Sequence, residues 1–309
     1  MASGNETVPA VTSPREVYNA LNNGALVVDA RVVDSFEAWM QEPERVVFTE
    51  WLPPAKLRAN DPEWYPPSTP DLPGLVVVLC GGDRTGLEAR LDGVAAEALA
   101  VAEALAGADE DDEAVRWAGA AAEYIGREWA LRESVTKLVV AAAAELLETY
   151  PFMAALSPVA AVMPAFPSHV APGLFLSSQY VASRVEILEA CGIKFVLNVA
   201  RECKPVAALA AVGITVLHLP LDDEVGQDLD AGGALDAACE FLARASPDQP
   251  ALVHCAQGIS RSSSVLIAFL VRSKMESGYA KALARVRAAR PIARPNPGFA
   301  RQLVELLGE

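Results

Sequence analysis

The 309 residues predict two α/β domains in tandem, each a mainly parallel sheet flanked by helices. Three observations support this. Short continuous Val/Leu runs alternate with longer helical segments along the chain, the pattern of strands buried on both faces. The charge is split: residues 1–150 hold 11 Lys+Arg against 26 Asp+Glu, and residues 151–309 hold 14 of each, so the whole net charge of −15 lies in the first half. Between the halves, 153–167 is uncharged, interrupted by proline and without a period, which reads as an extended linker. The expected domain boundary therefore lies in the linker over 153–167.

In the first half the order is a helix (SPREVYNALNNG), a strand (ALVVDAR), a Pro-rich loop over 53–73 and a strand (GLVVVLC) entering a Gly-Gly turn. An Ala-rich helix, the acidic run ADEDDE, a helix around Trp117, a strand (SVTKLVVA) and a helix (AELLETY) follow. The acidic run reads as a solvated loop.

The second half repeats the alternation. Strand GLFLSS precedes helix VASRVEILEACG, strands KFVLNVA and TVLHLPL, and helix DAGGALDAACEFLARA. Strand ALVHC then leads to helices RSSSVLIAFLVRSKM, GYAKALARVRAAR and NPGFARQLVELL.

Composition narrows the function. The five cysteines show no CxxC spacing and are odd in number, which argues against a disulfide framework or a structural zinc site and for a reducing compartment. The N-terminus lacks a secretory pattern, and the longest uncharged stretch contains five prolines, so no spanning helix is expected. The acidic first half would repel nucleic acid and anionic membranes. The expected setting is the cytoplasm, with the nucleus also open.

Chemistry concentrates in ALVHC-AQGIS-RSSSVLIAFL, a strand, a loop and a helix in the order that places an anion at a helix N-terminus. Gly258 permits a positive φ, so successive N–H groups of Ala256, Gln257, Gly258, Ile259 and Ser260 can face one phosphate. In such a field a cysteine is held as thiolate, the form that attacks phosphorus, which makes Cys255 the candidate nucleophile. Arg261 supplies a planar fork for two phosphate oxygens. An isolated Cys at a strand end is ordinarily just buried, but here His, Cys, Gly, Arg and Ser all fall within one strand-loop-helix unit. His254, without a second ligand, is not a metal candidate, and no cofactor is expected.

HCAQGISRS resembles the HC-x5-R-S signature of the cysteine-based protein phosphatases, and specifically of their dual-specificity branch. The likeness extends through GLFLSSQYVASRVEILEACGIKFVLNVA to RPIARPNPGFARQLVELL and covers about 168–309. It implies hydrolysis of phosphotyrosine and phosphoserine/phosphothreonine through a phosphocysteine on Cys255, without metal and in a shallow pocket. By the same resemblance Ser262 assists the departing thiolate, His254 bonds within the loop and tunes the thiolate, and Asn296 buttresses the loop.

Protonation of the leaving oxygen calls for a carboxylic acid on a mobile loop. HLPLDDEVGQDL offers Asp222, Asp223, Glu224 and Asp228. The family pattern places the role on Asp223, with Asp222 the runner-up and Glu224 and Asp228 read as solvated. The loop positions 256–260 carry no Lys or Arg, which favours phosphoproteins over phosphoinositides. Arg285, Arg287, Arg290 and Arg294 read as solvent-facing.

The first half resembles a rhodanese-like domain over 12–152, through ALVVDAR, DSFEAW, GLVVVLCGGDRTG and KLVVAAAAELLETYP. Such domains precede phosphatase domains in the mitogen-activated-protein-kinase phosphatases. Cys80 stands where a sulfurtransferase cysteine would be, but Asp83 follows it closely and opposes an anionic persulfide, so a non-catalytic module docking a basic or kinase partner is expected. The competing readings are a phosphoprotein-binding scaffold without turnover, a phosphoinositide phosphatase, and a sulfurtransferase working through Cys80.

Overall fold

The computed structural model describes residues 11–23, 25–29, 50–51, 75–80, 137–153 and 166–308. The chain divides into two compact units, Met1–Val162 and Met163–Glu309. The Pro-rich loop 53–73, the Ala-rich helix, the acidic run and the helix around Trp117 lie outside the described residues, as does 154–165 of the expected linker.

In the first unit, α1 (Pro14–Asn22) starts from a capping box in which Ser13 Oγ accepts the Glu16 N–H while the Glu16 carboxylate accepts the Ser13 N–H. Strands β1 (Leu26–Asp29), β2 (Glu50–Trp51), β3 (Leu75–Cys80) and β4 (Lys137–Ala142) form a parallel sheet in the order β2-β1-β3-β4. Strand β4 passes directly into α2 (Ala143–Thr149). Val77, Val78, Val139 and Val140 are fully or nearly buried, and Tyr18 of α1 stacks on Tyr150 with ring centroids 4.4 Å apart. A short 3-10 turn, Pro151–Met153, closes the described part, with Met153 buried.

The second unit contains a five-stranded sheet, β5 (Ser168–Ala171), β6 (Leu174–Ser178), β7 (Phe195–Asn198), β8 (Thr215–His218) and β9 (Ala251–Cys255), in the order β5-β6-β9-β7-β8. Of these five strands only β5 runs antiparallel to its neighbour. Strand β9 lies between β6 and β7, and all five of its residues are buried. Its alternating side chains divide between two cores. Val253 and Cys255 pack with Leu174, Leu176 and Leu197 against α6 (Ala234–Leu242), α7 (Arg261–Arg272), α8 (Tyr279–Ala289) and α9 (Pro297–Leu307). His254 points the other way, lining a cavity with Val196, Asn198, Ala182 and Leu209.

The face opposite α6–α9 carries α3 (Gln179–Ala182), α4 (Val185–Ala190) and α5 (Ala207–Ala211). The sequence led to one helix where α3 and α4 stand; the chain breaks at Arg184, whose extended backbone (φ −97°, ψ 94°) caps α4. Strand β5 and helix α5 were also not foreseen. SHVA has no Val/Leu run and is framed by Pro167 and Pro172, and AALAA is barely more than one turn. Helix α7 is the opposite case: Val265 to Leu270 are all at least 95% buried, at about 1.5–3 kcal/mol for each large aliphatic side chain.

Candidate active site

The loop 256–260 connects the carboxyl end of the central strand to the N-terminus of the most buried helix. Gly258 has φ +67°, and a Cβ there would lie 2.4 Å from the Ser177 carbonyl oxygen at the end of β6. Only glycine meets both demands, the left-handed turn and the close backbone approach. The turn aims the Gly258 N–H at the Cys255 Sγ, 3.2 Å away. The Ser262 hydroxyl, in the first turn of α7, points at the same sulfur at 3.2 Å. Among the described residues, no protein acceptor takes a hydrogen bond from the N–H groups of Ala256, Gln257, Ile259 or Ser260. Cys255 is therefore the floor of a ring of donors, the arrangement that cradles an anion.

The loop carbonyls are tied outward. The Arg290 guanidinium, at the end of α8, donates from Nε to the Gly258 carbonyl at 2.7 Å and from Nη2 to the Gln257 carbonyl at 3.0 Å. The Arg294 N–H reaches the Ile259 carbonyl at 2.8 Å, and the Gln179 N–H the Ala256 carbonyl at 3.1 Å. With the carbonyls so held, the N–H groups turn inward. Burial pushes the Arg290 guanidinium below its ordinary range, against the pull of Cys255. This corrects the reading of Arg290 as solvent-facing: the guanidinium faces the loop, and the adjacent Pro291, which ends α8, was the available signal.

Arg261 is 5% exposed, and carboxylates and a carbonyl surround its guanidinium. Nη1 and Nη2 each donate at 2.6 Å to the two carboxylate oxygens of Glu202, and Nη1 also donates to the Leu221 carbonyl at 3.2 Å. Nε is buried and has no hydrogen-bond partner; Asp223 Oδ2 lies 3.6 Å from it, an ion pair beyond hydrogen-bond range.

Asp223 and Asp222 are separated by their partners. Asp223 Oδ1 accepts from Ser260 Oγ at 2.6 Å and from Asn296 Nδ2 at 2.9 Å, so its carboxylate sits over the anion loop. Asp222 turns away and pairs with Arg201 Nε at 2.8 Å. Glu224 and Asp228 are exposed, and Asp228 bonds only locally, accepting the Asp230 N–H at 3.0 Å. Asn296 also caps α9 by accepting the Phe299 N–H at 2.9 Å, and its own N–H donates to Ser260 Oγ at 3.1 Å. Helix α9 holds the acidic loop further along, where Gln302 accepts the Leu229 N–H at 2.7 Å and donates to the Gln227 carbonyl at 2.8 Å.

His254 is 6% exposed, and burial holds its imidazole down to about 4, with the bond to the Cys255 carbonyl and the nearby His218 as smaller influences. It is neutral at working pH, and donates from Nδ1 to that carbonyl over 3.4 Å. Among the described residues no cluster of His, Cys, Asp or Glu could hold a metal ion.

A thiol ringed by N–H donors, a buried guanidinium with an unpaired donor and a carboxylate poised above them define a class: enzymes that transfer a phosphoryl group to a cysteine. The model of the dual specificity phosphatase catalytic domain matches residues 174–307. Dual specificity phosphatase 28 of Homo sapiens is 39% identical over 135 residues, covering 43% of this chain and 73% of that protein. Protein phosphatase Slingshot homolog 1 of Homo sapiens is 36% identical over 146 residues, 46% of this chain and 13% of that protein. The crystal structure of human DUSP28 is 34% identical, covers 47% of this chain and 95% of that chain, and has a TM-score of 0.41. The chain belongs to the dual specificity phosphatase family and is a protein phosphatase.

Proposed function

We propose that the chain hydrolyses phosphotyrosine and phosphoserine/phosphothreonine in proteins through a phosphocysteine on Cys255. The observation that carries this is the Cys255 sulfur, which receives the Gly258 N–H and the Ser262 hydroxyl beneath a ring of N–H donors. In the first step the thiolate attacks phosphorus, the bond from phosphorus to the ester oxygen breaks, and Asp223 gives that oxygen its proton. Arg261 and the loop N–H groups of 256–260 hold the three non-bridging oxygens as charge builds on them. In the second step Asp223 takes a proton from water, the resulting hydroxide attacks phosphorus, and the P–S bond breaks. Ser262 donates its O–H to the departing thiolate, while Asn296 keeps Asp223 and Ser260 in register. His254, being neutral, acts on Cys255 by orienting its carbonyl rather than by charge.

A phosphoprotein is favoured over a phosphoinositide because loop positions 256–260 carry no cation, and two donor nitrogens of Arg290 are taken by loop carbonyls. Rates on phosphotyrosyl, phosphoseryl and phosphothreonyl peptides, measured beside a phosphoinositide, test this. Turnover of the peptides is expected; turnover of the phosphoinositide alone would overturn it.

Residues 12–152 are read as a rhodanese-like, non-catalytic module that docks a basic or kinase partner. Support comes from the parallel order β2-β1-β3-β4, with Cys80 ending β3, and from the acidic balance of this half. Sulfur transfer from thiosulfate to cyanide no faster than in a Cys80→Ala control is expected, and a Cys80-dependent rate would contradict it. A cytoplasmic or nuclear setting follows from the cysteine pattern, which favours a reducing compartment. Among the described residues no helix is long and apolar enough to cross a membrane.

A further inference from the structure

A guanidinium has five N–H groups in one plane. In Arg261 the end of the fork, one N–H from each Nη, is closed by the two oxygens of Glu202 at 2.6 Å each, and the second Nη1 N–H meets the Leu221 carbonyl at 3.2 Å. What remains is Nε–H and the second Nη2–H. These two lie side by side on one edge, and Nε is buried without a hydrogen-bond partner. A buried cationic donor left unpaired is costly unless a ligand completes it.

The contacts that fix this orientation come from Glu202, in the turn after β7, and from the Leu221 carbonyl after β8. The Arg201 N–H binds the Leu221 carbonyl at 3.1 Å, the same oxygen that accepts from Arg261, and the Arg201 side chain pairs with Asp222. The Asn198 side chain donates to the Cys203 carbonyl at 2.6 Å and accepts the Ala200 N–H at 3.1 Å, which locks the turn carrying Glu202. Glu202 is itself half-exposed, whereas the Arg261 side chain is 6% exposed. The carboxylate thus reaches inward from the rim to hold a buried cation, and the bond to Arg261 keeps it below the usual carboxylate range.

We infer that Glu202 is a positioning residue for catalysis: it occupies the end of the Arg261 fork so that the Nε/Nη2 edge alone is presented, already oriented, to the phosphoryl oxygens. A guanidinium free to rotate would offer any of its edges and would lose orientation entropy on each binding event. This rests on the proposed role of Arg261 as the phosphate clamp.

The experiment is a double-mutant cycle in the full chain, read by kcat/KM on a phosphotyrosyl peptide and by the inhibition constant of tungstate as oxyanion probe. Glu202→Ala is expected to lower kcat/KM and weaken tungstate by roughly a hundredfold, the scale of a misplaced catalytic group. Glu202→Asp, which retains the charge on a shorter arm, should recover part of both. In an Arg261→Lys background, adding Glu202→Ala should cost no more than about twofold, because the residue acts only through the fork. Equal Glu202→Ala losses in both backgrounds, or near-normal kinetics in Glu202→Ala, would overturn the inference. Near-normal kinetics in Arg261→Lys alone would instead remove the clamp on which it stands.

Discussion

Asp223 accepts a 2.6 Å hydrogen bond from Ser260, a residue 37 positions later that stands at the threshold of α7. The bond joins the acidic loop after β8 to the anion loop after β9, and Asn296 seals it from α9 by donating to Asp223 and to the hydroxyl of Ser260. A proton donor must stay within reach of the leaving oxygen while the phosphate lies below it, and this bridge sets that height.

Asp223→Asn should therefore lower kcat on phosphopeptides by on the order of a hundredfold, and Asp222→Asn by no more than a few-fold. Asp222 is held by Arg201 on the rim, so its loss affects only an exposed pair. The two variants are compared by kcat on a phosphoseryl peptide, whose poor leaving group depends most on the acid. A larger loss in Asp222→Asn would move the acid by one residue.

Gly258→Ala should abolish activity and lower the unfolding free energy by at least about 2 kcal/mol, since it adds left-handed strain to a Cβ placed 2.4 Å from the Ser177 carbonyl oxygen. Urea unfolding and turnover of a small phosphate ester measure the two effects. A variant with normal midpoint and normal rate would mean that the loop tolerates another path.

Much of this site was legible because it lies in one continuous stretch. A strand, a glycine-containing loop and a helix N-terminus assemble an anion cradle from neighbours in sequence, so Cys255, Gly258 and Arg261 could be placed before any tertiary contact was known, while Ser262 rested on the family resemblance. Glu202 and Arg290 were not, because their roles come from other strands and helices. Glu202 follows β7, the neighbour of β9, and its acidity has meaning only once the sheet order places it beside Arg261. Arg290 stands just past the end of the helix that carries the exposed Arg287; Pro291 marks where that helix stops, but the pattern of arginines alone does not tell which one turns inward. The same limit explains β5, which is a strand only because β6 pairs with it.

Arg290→Ala should lower the unfolding free energy by about 1.5–3 kcal/mol, the range for hydrogen bonds given by a charged group, because the Gln257 and Gly258 carbonyls lose their donors. It should also weaken tungstate inhibition, since the loop N–H groups are no longer turned inward. Unchanged stability together with unchanged inhibition would contradict the anchoring role.

The stability of the chain should fall as the pH drops from 6.5 toward 4. His254 is held at about 4 in the folded state against 6.5 for an ordinary histidine, so over that window the unfolded chain binds the extra proton and stability rises with pH. The full effect, reached below the folded value and absent above the ordinary one, is on the order of 3 kcal/mol. Urea midpoints taken between pH 7 and pH 4.5 should slope less steeply in His254→Gln than in the natural chain. Equal slopes would place the acid sensitivity elsewhere.

Cys255 carries the chemistry proposed for this chain, and the turnover of Cys255→Ser measures that directly. A serine hydroxyl stays protonated near neutral pH and is far weaker toward phosphorus than a thiolate, while Gly258, Ser262 and Arg261 remain in place to bind the anion. The predicted result is no detectable hydrolysis of a phosphotyrosyl peptide, with tungstate binding retained. Hydrolysis by Cys255→Ser at a rate comparable to the natural chain would contradict the phosphocysteine mechanism.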